Sequence, residues 1–275
     1  MTKVALFQSN TGIDPAANAQ AVIGAIQQAA DGGAEMLFTP EMSGLLDRDA
    51  ARAAKSLRPQ EEDRVLSAIR EAAARHHIWL HVGSLAVLVG DGKVANRSFV
   101  IDREGEIRAT YDKIHLFDVD LPTGESWRES NVYSAGKGVV LVNGTPVGKL
   151  GLTICYDLRF PGLFAALAES DADVIAVPAA FTVPTGRAHW HVLLRARAIE
   201  AGLFVVAAAQ AGHHEDGRST FGHSLVVDPW GEPLLDMGDD NGVGFADIDL
   251  TRITEVRSRI PALNHRRPIP DAVTL

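Results

Sequence analysis

VGKLGLTICYDLRFPGLFAALAESDADVIAVPA, residues 147–179, changes its hydrophobic period twice. The apolar run 147–154 reads as a strand that ends directly at Cys155. CYDLRF turns the chain, Pro161 stands where a first helical residue is preferred, and helical spacing continues to about residue 170. VIAVPA (174–179) is again a short run rich in β-branched residues. Strand, helix and strand in immediate succession mark an α/β or layered α/β protein.

The same alternation extends in both directions. Upstream, VALFQ (4–8) reads as a buried strand, and Asp14-Pro15 caps and opens a helix to about residue 30, ended by Gly32-Gly33. MLFTPEM (36–42) is a strand stopped by Pro40, and Leu66, Ile69 and Ala73 give 61–76 an amphipathic helical face. IWLHVGSL (78–85), ANRSFVID (95–102) and IRATYDK (107–113) read as neighbouring strands, with Asp91-Gly92 and Glu104-Gly105 as turns. Residues 114–137 lack periodicity and read as a long loop, of the kind compact domains keep for function; VVLV (139–142) then resumes the sheet. Downstream, a helix is expected over 186–201 with Trp190, Leu193, Leu194 and Ile199 on one face, followed by the fully apolar strand LFVVAAAQ (203–210). HSLVVD, PLLD and VGFADID read as three antiparallel strands. No internal repeat, low-complexity segment or linker interrupts the chain, so residues 1–275 are expected to form one domain.

The composition narrows the function. A hydrophobic fraction of 46% with 22% charged residues suits a globular core. The net charge of −9, with no basic run, argues against nucleic acid as partner and favours a small molecule. The start turns polar by Gln8, so no secretory segment is expected, and no apolar run approaches the ~18 residues of a membrane span. A single cysteine excludes an internal disulfide framework and a multi-cysteine metal site, and fits a reducing cytoplasm. GTPVGKLG (144–151) fails as a phosphate-binding loop, being one residue short between the glycines and carrying Leu150 where Ser or Thr is needed. His189 and His191 should face different ways on a helix, and His213-His214 and His76-His77 lack an acidic or cysteine set at metal spacing, so no metal is expected.

Glu41, Lys113 and Cys155 each terminate a predicted strand, the place where layered α/β proteins gather their active sites. Each has a plain alternative: a solvated strand end, a surface lysine, a core cysteine. The helix start beyond Cys155 would offer backbone N–H groups and a dipole that favour a thiolate.

FTPEMSG (38–44), YDKIHLFDVD (111–120) and GLTICYDLRFP (151–161) resemble the three signature segments of the nitrilase superfamily, in order and in spacing. RAHWHVLLRARAIE (187–200) and FGHSLVVDPWG (221–231) extend the resemblance over nearly the whole chain. Residues 207–231 and DLPTGESWRESN (120–131) are similar to its deaminated-glutathione amidase branch, while the ω-amidase branch shares the catalytic segments. The resemblance implies a four-layer α-β-β-α sandwich and an amidase with no cofactor. Cys155 would be the nucleophile, Glu41 the general base, Lys113 the oxyanion's cation, and Glu129, or its rival Glu125, the second glutamate. Tyr156 would lend its backbone N–H, and Arg159, Phe181 and Thr182 would bind substrate, Arg159 pairing with a carboxylate or simply lying on the surface. Nitrile or N-carbamoyl amino acid hydrolysis would use the same groups, and a catalytically silent scaffold would keep the fold without turnover. Fast labelling by iodoacetamide is expected to separate a catalytic Cys155 from an inert one. The resemblance also implies a homodimer or higher homo-oligomer, with residues 186–201 and PALNHRRPIP (261–270) as candidate interface segments.

Overall fold

The computed structural model describes residues 1–120, 124 and 126–274. Two six-stranded sheets form its centre. Across the first, the strands run Gly242–Ile248, Thr2–Gln8, Met36–Phe38, Trp79–Leu88, Val94–Ile101 and Ile107–Asp112. Across the second they run Pro233–Asp236, Leu225–Val227, Phe204–Ala207, Val174–Ala176, Gly148–Leu152 and Leu141–Thr145. In each sheet three central strands are parallel and the flanking ones antiparallel.

Alternation along the strands produces the layers. Val4, Leu6, Met36 and Phe38 pack into one core with the second sheet, whereas Ala5 and Leu37 between them point into another. That second core is closed by the helices Pro15–Asp31 and Arg64–His76, through residues such as Val22, Ile26 and Ile69. The helices Pro161–Glu169 and Val183–Ala201 cover the far face of the second sheet with Phe164, Leu167, Trp190 and Leu194. The order helix, sheet, sheet, helix is the four-layer sandwich that the resemblance implied. Among the described residues no helix is long and apolar enough to cross a membrane.

The caps fall where the sequence puts them: the Asp14 side chain accepts from Ala16 N, Pro15 opens the helix, and Gly33 follows it at φ 76°. Four expectations are modified. The helix expected over 186–201 begins at Val183, because Pro184 is tolerated within its first turn. Ile199 does not share a face with Trp190: nine residues at ~100° each bring it to the opposite side, where it is 53% exposed and lies against Gly231. Part of loop 114–137 is ordered as a small ribbon, Asp118–Asp120 paired with Ser126–Arg128. Of the three final strands two pair together, whereas Gly242–Ile248 crosses to the first sheet and pairs with Thr2–Gln8.

The two sheets meet tightly where the site lies. Gly83, in the strand Trp79–Leu88, has space for no side chain: a Cβ would run into the carbonyl oxygens of Thr39 and Pro40, and would stand 2.5 Å from the Pro178 ring. The backbones before Glu41 and Ala180 can approach each other only over a glycine. Gly83→Ala is therefore expected to destabilise the fold by ~3 kcal/mol, the upper end of overpacking, read as a lowered urea midpoint. An unchanged midpoint would mean that this contact carries no constraint.

Candidate active site

Three strand ends bring the predicted side chains together. Glu41 follows Met36–Phe38, Lys113 follows Ile107–Asp112, and Cys155 follows Gly148–Leu152 of the other sheet. All three are at least nine-tenths buried and line one cavity of about 630 Å³, a size suited to a small-molecule ligand.

Lys113 Nζ lies 3.0 Å from Glu41 Oε1 and 2.9 Å from Glu129 Oε2. Asn96 Nδ2 donates to both carboxylates, at 2.9 Å to Glu41 and 3.2 Å to Glu129. Backbone donors complete the set: Ala180 N reaches Glu41 Oε2 at 2.9 Å, and Phe117 N reaches Glu129 Oε2 at 2.6 Å. Glu129 thus joins Glu41 in holding the lysine, while its rival Glu125 lies outside the described residues. Burial favours the neutral form of Lys113, yet the Glu129 and Glu41 carboxylates hold its pKa well above the ordinary lysine value. Burial likewise opposes charge on Glu41, but the Lys113 ammonium and the surrounding hydrogen bonds hold its carboxyl below the usual range.

Cys155 occupies a strained position, with φ 47° in a non-glycine residue. Its N–H donates to Pro178 O at 2.8 Å, and the turn Cys155–Arg159 begins with it. Asp157 braces that turn from beneath. Its Oδ2 accepts from Ile154 N at 2.9 Å and from the Tyr111 hydroxyl at 2.7 Å, and its Oδ1 accepts from His115 N at 3.0 Å. The first hydrogen bond within the turn runs from Asp157 N to Ile154 O, which leaves the Tyr156 N–H ahead of it. Burial, and next the neighbouring Glu41 carboxylate, push the Cys155 thiol well above the ordinary range, against the pull of Lys113 and Ala180 N. The resting group is a thiol beside a carboxylate.

Tyr156, Arg159, Phe181 and Thr182 all line the same cavity. The Arg159 guanidinium lies over the rings of Tyr156 and Phe181, 5.9 and 5.3 Å from their centroids, and contacts His189 Nδ1 at 3.2 Å. It is not a free surface charge. Asn96 and Asp157 escaped the sequence reading. Asn96 was legible only as an inward position in an alternating strand, and Asp157 only as an acid inside an otherwise apolar turn. The histidine spacings also hid a cluster away from the cavity: His191 and His223 converge on Asp236, each ring nitrogen 2.9 Å from a carboxylate oxygen. The three come from separate segments, so no sequence spacing could reveal them.

Residues 3–258 match the family described as Carbon-nitrogen hydrolase. The chain is 39% identical over 273 residues to the deaminated glutathione amidase of Yersinia enterocolitica, covering 98% of this chain and 94% of that one. It superposes on the C. elegans NitFhit protein with a TM-score of 0.89 and 37% identity, over 97% of this chain and 65% of that longer one. A mutant of the amidase from Nesterenkonia sp. AN1, 26% identical at a TM-score of 0.82 over 97% of this chain and 94% of that one, carries the acetamide moiety of fluoroacetamide covalently on its active-site cysteine.

A raised thiol reverses the labelling expectation: slow alkylation at neutral pH becomes a property of this arrangement itself. Alkylation of Cys155 by iodoacetamide is expected to climb steadily from pH 7 to pH 10 without a plateau, because thiolate accumulates only as pH approaches the raised pKa. Glu41→Gln removes the negative charge beside sulfur and leaves Lys113, so its alkylation at pH 7 should be faster than that of the unsubstituted chain. A rate equal to that of the unsubstituted chain would show that Glu41 does not govern the thiol.

Proposed function

The chain belongs to the carbon-nitrogen hydrolase family, and we propose that it hydrolyses a linear amide through a cysteinyl thioester, with deaminated glutathione as the substrate. The observation that carries this reading is the buried lysine shared by two carboxylates, one of which also faces the only cysteine. The reading takes residues 1–275 as a single catalytic domain.

Glu41 accepts the Cys155 proton as sulfur attacks the amide carbonyl, so nucleophile and base act in one step. Negative charge leaves Glu41 and arrives on the carbonyl oxygen. Lys113, relieved of one anionic partner, faces the new oxyanion together with the Tyr156 N–H. Glu41 then returns its proton to the departing nitrogen, the C–N bond breaks, and a thioester remains. On the second pass Glu41 takes a proton from water, which attacks the thioester carbonyl; the C–S bond breaks and the thiol is restored. Glu129, held by Phe117 N and Asn96, positions Lys113 and forms no bond to substrate. Arg159 pairs with the carboxylate of the acyl part, a match for a planar guanidinium. No cofactor takes part in these steps.

The name of the Yersinia relative supports deaminated glutathione, cleaved to 2-oxoglutarate and cysteinylglycine. The cavity volume supports a substrate longer than the small ω-amides 2-oxoglutaramate and 2-oxosuccinamate. In the same reading the protein works in the cytoplasm as a homo-oligomer, and exposed Val192 and Ile199 on the helix Val183–Ala201 support such an interface.

Incubation with deaminated glutathione, an ω-amide, a nitrile and an N-carbamoyl amino acid should show turnover greatest for deaminated glutathione. Cys155→Ala should fall to background, which separates the enzyme from a silent scaffold. Lys113→Met should lose ~100-fold or more in kcat/KM, the usual cost of an oxyanion donor. Undiminished turnover by Cys155→Ala would end the thioester reading, and preference for another class on the panel would replace the substrate.

A further inference from the structure

Three aromatic rings run along the cavity wall in sequence. Tyr156, next to the thiol in the chain, meets Phe117 edge-on at 5.1 Å between centroids, and Phe117 meets Trp127 at 6.4 Å. A cation stands at each end of this row. Arg159 lies over Tyr156, while the guanidiniums of Arg48 and Arg218 lie over Trp127, 5.3 and 4.9 Å from its ring centroid. All of these residues line the cavity that holds Cys155.

The far end is built to keep its positive charge. Arg128 is neutralised by Asp120, with both carboxylate oxygens at 2.9 Å. Arg48, by contrast, makes no salt bridge among the described residues, although the chain as a whole carries nine more negative charges than positive. Asp216 holds both arginines in place without satisfying them. It accepts the Arg48 backbone N–H at 2.9 Å and binds only the Nε edge of Arg218, at 2.6 Å. The Trp127 Nε1 is a buried donor with no partner among the described residues. Two guanidiniums gathered about one ring repel each other, and an anion between them is stabilised by both charges and by the open donors.

We propose that Arg48, Arg218 and Trp127 form a second anion-recognition site, which reads a carboxylate on the amine side of the scissile bond. The inference rests on the amide-hydrolase reading for the placement of that bond. With Arg159 holding the acyl carboxylate near the thiol, the row of rings separates the two ends of the substrate. Steps of 5.1 and 6.4 Å correspond to an extended chain of about three residues at ~3.5 Å each. Among amides of that reading, the site selects those whose leaving amine carries a free carboxylate at this distance from the acyl carboxylate.

Binding to the full-length Cys155→Ala protein tests this apart from turnover. Deaminated glutathione and its C-terminal carboxamide are titrated calorimetrically, then again with Arg48→Gln and with Arg218→Gln in the same background. The acid should bind at least about tenfold tighter than the carboxamide, as expected for a charge-assisted pair, and this preference should shrink toward one in both arginine variants. A general loss of folding would weaken both ligands alike and leave their ratio intact. Equal affinity for acid and carboxamide, or a ratio that survives both substitutions, overturns the site. Absence of amide turnover in the unsubstituted protein would instead count against the enzyme reading, and the binding ratio would still decide this one.

Discussion

A buried lysine held between two carboxylates, Glu41 buried with it and Glu129 half-buried, is the constraint on which the rest of the site depends. Charges so placed lose their hydration, and the group persists only because each is paired and each remaining oxygen finds a donor. Asn96, Ala180 N and Phe117 N supply those donors from a strand of the first sheet, the segment after the strand Val174–Ala176 of the second sheet, and the long loop. The charges can therefore be buried only once both sheets and that loop have taken their final places. Burial, and next the Glu41 carboxylate, outweigh the pull of Lys113 on Cys155 and keep it protonated. A reactive thiolate is not stored in the resting site; it is generated against a carbonyl.

The left-handed backbone at Cys155 is a second local cost, and Asp157 is its compensation. With both oxygens occupied by Ile154 N, Tyr111 and His115, the Asp157 carboxylate fixes the strand end on one side of the nucleophile and the turn on the other. Strain at a single residue survives because a buried, fully used carboxylate overdetermines its neighbours.

Much of this was legible in the sequence because it is local. Period, Pro15 at a helix start, the glycines after that helix and the polar loop all act within a few residues, and the strand ends at Glu41, Lys113 and Cys155 follow from them. The fold class followed from the alternation of strand and helix. What was not legible depends on separation in sequence. Asn96 becomes a donor to Glu41 across 55 positions, and Tyr111 meets Asp157 across 46. The convergence of His191, His223 and Asp236 leaves no trace in spacing. Ile199 was a different kind of miss, an error of phase accumulated over nine residues of helix. The partner of the final strand was also hidden, since alternation shows that a segment is a strand and not which edge it joins.

That final strand sets the order in which the molecule can be completed. Thr2–Gln8 leaves the ribosome more than two hundred residues ahead of its outer neighbour, Gly242–Ile248. Until the later strand arrives, the first sheet presents a seven-residue edge of unpaired backbone groups, which any other extended chain can occupy. The hazard grows with the time needed to synthesise the intervening two hundred and more residues. A chain stalled or cut before residue 242 would lose no residue that touches the thiol, but would keep that edge open, so its first failure would be self-association, ahead of any defect in chemistry.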